Sequence, residues 1–208
     1  MSRISTYEKQ AVIHGGTVDF RSKLIFVGAM DVGKSSIIQR FDGNKYPDTV
    51  PTIMCAFFCK TVTRNNEQIK MEIWDTAGQE RFYSIAPLYF RTATHCILVF
   101  DLTDHDSFIA VEKWRQLCAD ANDDVQLSYF LVGNKSDKES TTVSDIEIHE
   151  YCKTHGIKKY VETSAYTGAN ISILEDAIID DICEMKHINI YGMKVTVDDV
   201  PISNYCQC

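Results

Sequence analysis

No stretch of this 208-residue chain approaches the ~20 consecutive apolar residues of a membrane span. The start, Met1-Ser2-Arg3-Ile4-Ser5, is mixed and polar rather than an apolar signal segment. Membrane contact is therefore expected only through lipidation. There is no long Lys/Arg run, and the formal net charge is −8, which disfavours a nucleic-acid partner. Internal repeats and low-complexity segments are also missing. A disulfide framework is not expected either. The eight cysteines are scattered through predicted strands and helices, which points to free thiols in a reducing cytosol. Cys55 and Cys59 lie four apart, but no second Cys or His pair has zinc-ligand spacing, so core or interface thiols are expected there. What remains is ordinary soluble composition, 45% hydrophobic and 24% charged. The length suits one domain with a substantial core plus ends.

The stretch that organises the chain is Gly28-Ala29-Met30-Asp31-Val32-Gly33-Lys34-Ser35. An apolar segment, Lys23 to Val27, precedes it and predicts a buried strand. Ser36-Ile37-Ile38-Gln39-Arg40-Phe41 follows with helical spacing. Strand, glycine-bounded loop and helix form the context in which GxxxxGK[ST] means a phosphate-binding loop. Gly28 and Gly33 let successive N–H groups point at phosphate oxygens, and the helix N-terminus adds partial positive charge. Lys34 supplies a mobile cation, and the Ser35 hydroxyl can ligate Mg²⁺.

Residues 1–21 read as a mobile polar lead. The first strand is expected at 23–28 and the first helix at 34–42. A polar loop with Pro47 and Pro51 comes next. Strands at 55–64 and 67–75 are joined by Asn65-Asn66, a hairpin turn because Asn tolerates positive φ. A second polar, mobile segment begins after Asp75. Cys96–Phe100 is a further buried strand. Ser107 is expected to cap a helix carrying Phe108, Val111, Trp114, Cys118 and Ala121 on one face. Another strand covers 128–132, then a helix at 144–155 and a strand at 159–162. The last helix carries Ile171, Leu174, Ile178 and Ile182 on one face. Residues 186–208 read as a tail. Alternating strands and helices, with strands apolar throughout, predict an α/β fold with a mostly parallel sheet covered on both faces and one antiparallel pair. Polar signatures follow the strand ends at residues 28, 75, 133 and 163. In open α/β sheets ligands bind beyond those ends, so the signatures converge.

The second signature is Asp75-Thr76-Ala77-Gly78-Gln79. Asp75 at a strand end can hold Mg²⁺, Gly78 lets its N–H approach a γ-phosphate, and Gln79 can orient an attacking water. The third, Asn134-Lys135-Ser136-Asp137, settles the base. A carboxylate there accepts from the N1–H and exocyclic amine of guanine, whereas adenine offers neither donor in that arrangement. A pocket built on such bonds rejects the analogue by roughly 10⁴-fold or more.

With these motifs in order, residues 21–185 resemble a Ras-superfamily small GTPase, specifically a Rab. Ile73-Trp74-Asp75-Thr76-Ala77-Gly78-Gln79-Glu80-Arg81-Phe82 matches the Rab pattern word for word. The resemblance implies a P-loop GTPase domain over 22–185, with a six-stranded, mostly parallel sheet, one antiparallel edge strand and helices on both faces. It implies GTP or GDP with Mg²⁺, bound by Gly28, Asp31, Val32, Gly33, Lys34, Ser35, Ser36, Tyr46, Thr52, Gly78, Asn134, Lys135, Asp137, Ser164 and Ala165. Tyr46 would flank the base, and Ser164-Ala165 would contact it through the backbone. Thr52-Ile53 is similar to the first switch, whose threonine contacts Mg²⁺ and the γ-phosphate. Mg²⁺ would be held by Ser35, Thr52 and Asp75, and hydrolysis would depend on Gln79, Lys34 and Thr52. The Cys206-Gln207-Cys208 end is similar to the doubly geranylgeranylated end of many Rabs, which makes Cys206 and Cys208 lipidation sites. Cys55-Ala56-Phe57 and Ala86 to Arg91 lean towards the early-endosomal subgroup. Aromatics at strand positions are usually core. In Rabs the positions of Phe57, Trp74 and Tyr89 instead form an exposed triad read by effectors.

Four positions depart from the family pattern. Met54 replaces the glycine after Thr-Ile, Met30 stands where a small residue is usual, Tyr166 replaces a lysine, and Lys138 replaces a leucine. The expected function is a monomeric molecular switch. GTP orders its two switch loops, and hydrolysis, slow without an activator, relaxes them. The resemblance implies an exchange factor, an activating protein, effectors and a prenyl-binding chaperone. It also implies residence on the cytosolic face of endomembranes with a cytosolic pool, in vesicle traffic. Two other readings stand beside it: a phosphotransferase using the same phosphate loop, and a GTP-binding scaffold whose hydrolysis is impaired. Met30 sustains the second. Its side chain either displaces Gln79 or folds away along the surface.

Overall fold

The computed structural model describes residues 20–43, 52, 55–79, 86–122 and 127–187. Six strands, β1 (Phe20–Val27), β2 (Cys55–Arg64), β3 (Glu67–Thr76), β4 (His95–Asp101), β5 (Ser128–Asn134) and β6 (Lys159–Glu162), form one sheet. Its order is β2-β3-β1-β4-β5-β6. All neighbouring pairs are parallel except the edge pair β2–β3. Among the described residues five helices accompany them: α1 (Lys34–Phe41), α2 (Ala86–Phe90), α3 (His105–Asp120), α4 (Asp145–His155) and α5 (Ile171–His187). This is the P-loop α/β fold with one antiparallel edge strand.

Strand alternation sorts the core into two layers. Leu24 and Phe26 of β1 join Ile97, Val99, Phe130 and Val132 on the face covered by α1 and α5. Ile25 and Val27 join Leu98, Phe100 and Leu131 on the face covered by α3. β4, in the middle, is buried at every residue, as its unbroken apolar run requires. Trp114 of α3 is fully buried, and its burial contributes on the order of 3 kcal/mol. At the β2–β3 turn Asn65 and Asn66 have φ of 54° and 64°, the left-handed pair that a two-residue hairpin needs.

Several boundaries differ from the sequence reading. β1 begins at Phe20, inside the segment read as the lead, because Phe20 pairs with Ile69 of β3. The cap of α3 is Asp104, not Ser107. Its carboxylate accepts from the N–H of Asp106 and Ser107, while the Ser107 hydroxyl turns inward onto Asp101. α4, expected at 144–155, begins at Asp145 and is capped by Ser144, with a reciprocal Glu147 contact. α2 is too short to show periodicity in the sequence. α5 runs to His187, past the expected start of the tail.

α5 is tied to the sheet by charge as well as by apolar packing. Buried Asp181 accepts from the Ser128 hydroxyl and from Lys158 at 2.9 Å, with His95 at 3.4 Å. Burial pushes its carboxyl up, but these donors together hold it below the usual carboxylate range. On the opposite side of α5, Glu175, Asp176 and Asp180 pair with Lys60 and Arg64 of β2. Among the described residues no helix is long and apolar enough to cross a membrane.

Candidate nucleotide site

The predicted signatures meet at the carboxyl edge of the sheet. α1 starts from Gly33 with φ 98° and has no side-chain cap, unlike α3 and α4. Its first N–H groups therefore have no capping side chain and suit an anion. Lys34 is 4% exposed, and its ammonium donates to the Gly28 and Ala29 carbonyls at 3.0 and 2.7 Å. Burial pushes the Lys34 pKa down to about 8, with the Asp75 and Asp31 carboxylates opposing that shift. A cavity of about 110 Å³ lies over the loop, lined by Met30, Lys34, Ser35, Thr52 and Gln79 among others.

Three segments far apart in sequence join at one carboxylate. The Ser35 hydroxyl donates to Asp75 Oδ2 at 2.6 Å, and the Thr52 hydroxyl donates to the same oxygen at 3.1 Å. The two hydroxyls lie 2.8 Å apart. Asp75 Oδ1 is buried with no hydrogen-bond partner among the described residues. Burial raises the Asp75 pKa, against the Ser35 bond, the Lys34 charge and the Thr52 bond. An oxygen-only set with an orphaned carboxylate oxygen suits Mg²⁺, which takes one or two carboxylates together with substrate phosphates. Ser35, Thr52 and Asp75 would hold it.

Gly78 presses on the phosphate loop. Its φ is 65°, and an added Cβ would lie 2.4 Å from Lys34 Nζ and 2.6 Å from two loop carbonyls. Beside it the Gln79 amide donates to Met30 Sδ at 3.7 Å. Met30 is 54% exposed, yet its sulfur faces the glutamine.

The base-side signatures interlock with the phosphate loop. The Asn134 amide donates to the Val32 carbonyl at 2.8 Å. Its oxygen accepts from the Thr163 hydroxyl and the Ala165 N–H. Ser164 donates to Asp137 Oδ1 at 2.5 Å, a side-chain role beyond the backbone contact expected of it. Lys135, in a left-handed conformation, pairs with Asp101 at 2.7 Å. Asp31 is exposed, and Val32 and Ser36 are buried. Two residues here carry no signal in the sequence. They are Asp101, which anchors Lys135, and Arg40, whose guanidinium reaches the Ala165 and Tyr166 carbonyls. Tyr46, Met54, Cys206 and Cys208 lie outside the described residues.

On the neighbouring face, Phe57 and Trp74 are cross-strand partners with ring centroids 5.2 Å apart, and Tyr89 lies 5.9 Å from Trp74. Phe57 is 53% exposed, and the other two are half-buried. The three aromatics form one row at the surface, with Trp74 and Tyr89 also packed against the core. Lys23 Nζ sits 4.8 Å over the Trp74 ring. Cys59 is exposed on β2, so it is not a core thiol.

Comparison with known proteins agrees with this geometry. The model of the Ras family matches residues 23–184. Ras-related protein RHN1 of Nicotiana plumbaginifolia is 39% identical over 159 residues, covering 75% of this chain and 78% of the relative. Ras-related protein Rab5A of Oryza sativa is 40% identical over 154 residues, with 73% and 74% covered. Ras-related protein SEC4 of Saccharomyces cerevisiae is 38% identical over 161 residues, with 76% and 74% covered. A family match over most of the chain and relatives at these identities and coverages show that the chain belongs to the Ras family and is a GTP-hydrolysing small GTPase of the Rab type.

Proposed function

We propose that this chain is a GTP-driven switch in vesicle traffic, on the endosomal side of that traffic. The observation that carries the reading is the meeting of Ser35 and Thr52 on Asp75 beside buried Lys34. Thr52 lies between α1 and β2 in the chain, while Asp75 and Gly78 lie at the end of β3 and just beyond it. A γ-phosphate contacted by both segments would draw them together, and its loss would release them. Asp137, Ser164 and Ala165 would hold guanine, with Tyr46 against the base. Lys34 would neutralise charge on the β- and γ-phosphates, and the Gly78 N–H would reach the γ-phosphate. Gln79 would orient the water that attacks the γ-phosphorus as the bond to the bridging oxygen breaks. Mg²⁺ held by Ser35, Thr52 and Asp75 would supply further neutralising charge at the phosphates.

The row of Phe57, Trp74 and Tyr89 lies beside both segments and would report their order to effectors. An exchange factor, an activating protein and a prenyl-binding chaperone would complete the cycle of a monomeric chain. Geranylgeranyl groups on Cys206 and Cys208 would anchor it to the cytosolic face of endomembranes, with a chaperone-held cytosolic pool. The tail sequence, Lys186 and Lys194 against Asp198 and Asp199, has no polybasic patch. Two lipids must then supply both anchoring signals. Intact mass of the chain from its own cells should show two isoprenoids; an unmodified mass refutes the anchor.

A second reading, a scaffold with impaired hydrolysis, is favoured by the Met30–Gln79 contact. A glutamine whose amide is engaged by a thioether must give up that contact to hold water. Each tenfold in rate corresponds to only about 1.4 kcal/mol, so a weak contact suffices. Single-turnover hydrolysis of γ-labelled GTP by the wild type and Met30→Gly tests both readings. Phosphate release by the wild type on the order of 10⁻⁴ s⁻¹ is expected of an unassisted switch. A gain of about tenfold or more in the glycine variant supports the brake. Equal rates within about a factor of two remove it. Transfer of label to an acceptor other than water would overturn the switch itself.

A further inference from the structure

We infer that Arg40 is a positioning residue for guanine recognition, coupling the phosphate loop to the loop that reads the base. The inference rests on the guanine site proposed above. Arg40 lies in the last turn of α1, the helix that begins at the phosphate loop. Its Nε donates to the Ala165 carbonyl at 2.8 Å, and an Nη donates to the Tyr166 carbonyl at 2.5 Å. A planar fork that grips two successive carbonyls fixes both the position and the tilt of that backbone. The same loop is held from its other side. Ala165 N–H donates to Asn134, whose amide reaches back to Val32 in the phosphate loop.

These contacts close a ring: Val32, α1, Arg40, Ala165, Asn134, and back to Val32. Within the ring Ser164 donates to Asp137, and the Thr167 N–H donates to the Ser164 hydroxyl. Asp137 is the carboxylate that reads guanine, so the orientation of its partner Ser164 matters. Arg40 acts on this loop through the Ala165 and Tyr166 carbonyls. It sets where Ser164 stands, and through Ser164 how Asp137 faces the base. Gly168 lies beside the fork, where an added Cβ would make ordinary van der Waals contact with the guanidinium at 3.7 Å. Loosening the fork should let the loop drift from the phosphate end, so that the base slips while the phosphates stay held.

The test compares GDP with inosine diphosphate, which lacks the exocyclic amine that Asp137 reads. Dissociation of each is measured from full-length wild type, Arg40→Ala and Arg40→Lys in the presence of Mg²⁺. Arg40→Lys keeps the charge and the stem but loses the fork, and it decides the matter should Arg40→Ala fold poorly. The expected result is GDP release faster by about tenfold, with inosine diphosphate release changed less than about twofold. The preference for guanine then falls by about fivefold or more. A purely structural role would speed both nucleotides alike or neither, and either outcome overturns the inference while leaving the guanine site intact. A wild type that holds both nucleotides equally would instead overturn the guanine reading, and this inference with it.

Discussion

Asp137→Asn should move the preference of this protein from guanine towards xanthine nucleotides, with guanine selectivity falling by about 10⁴-fold. A carboxylate accepts from the N1–H and exocyclic amine of guanine, whereas an amide nitrogen can only donate. Xanthine carries an oxygen where guanine has that amine, so it gains what guanine loses. The structure also says how the new side chain will sit. Ser164 donates to Oδ1 of Asp137, and in the variant it should keep the amide oxygen there. The amide nitrogen is then left to face the base. The cost to guanine is large because its buried donors stay unpaired, which is worth more than the bond alone. Competition between GTP and xanthosine triphosphate measures the ratio. A ratio unchanged from the wild type would show that Asp137 does not read the base.

The second large effect is expected at Gly28. Its φ is 145°, and a Cβ there would lie 2.0 Å from the Val99 carbonyl oxygen and 3.1 Å from its carbon. That carbonyl belongs to β4, the fully buried middle strand, so it cannot yield without moving the sheet. Gly28→Ala combines overpacking with an unfavourable backbone region, for a loss of about 4 kcal/mol. This is a large fraction of the roughly 5–15 kcal/mol that stabilises a typical domain. Gly43 provides the control. Its φ is also positive, at 73°, but among the described residues nothing beyond its chain neighbours lies within 4 Å of its added Cβ. Gly43→Ala should cost only about 1 kcal/mol. Urea unfolding of both variants without nucleotide separates the two contributions. A Gly28→Ala protein within about 1 kcal/mol of wild type would mean that the loop does not press on β4.

Gly28 also illustrates how far a sequence can be read. As a letter it marks a phosphate loop, and the reading from sequence was that it lets the backbone turn. Its closest constraint is a carbonyl on a strand 71 residues later, Val99. The same division runs through the site. Lys34, Ser35, Asp75, Asn134 and Asp137 were legible because each belongs to a short motif whose chemistry is local: a turn, a helix start, a strand end. Strand alternation and the Asn65-Asn66 turn were legible because side-chain period and φ preference act over a few residues. The cap of α3 was misplaced because Asp104 and Ser107 are both good caps, and the choice depended on whether Ser107 could bond inward to Asp101. Contacts between segments carry no such signature. Arg40 on the Ala165 carbonyl, Lys135 on Asp101 and Met30 against Gln79 join positions 125, 34 and 49 residues apart. Which side chain meets which there is set by how the helices and loops pack around the sheet, and packing depends on the whole chain at once.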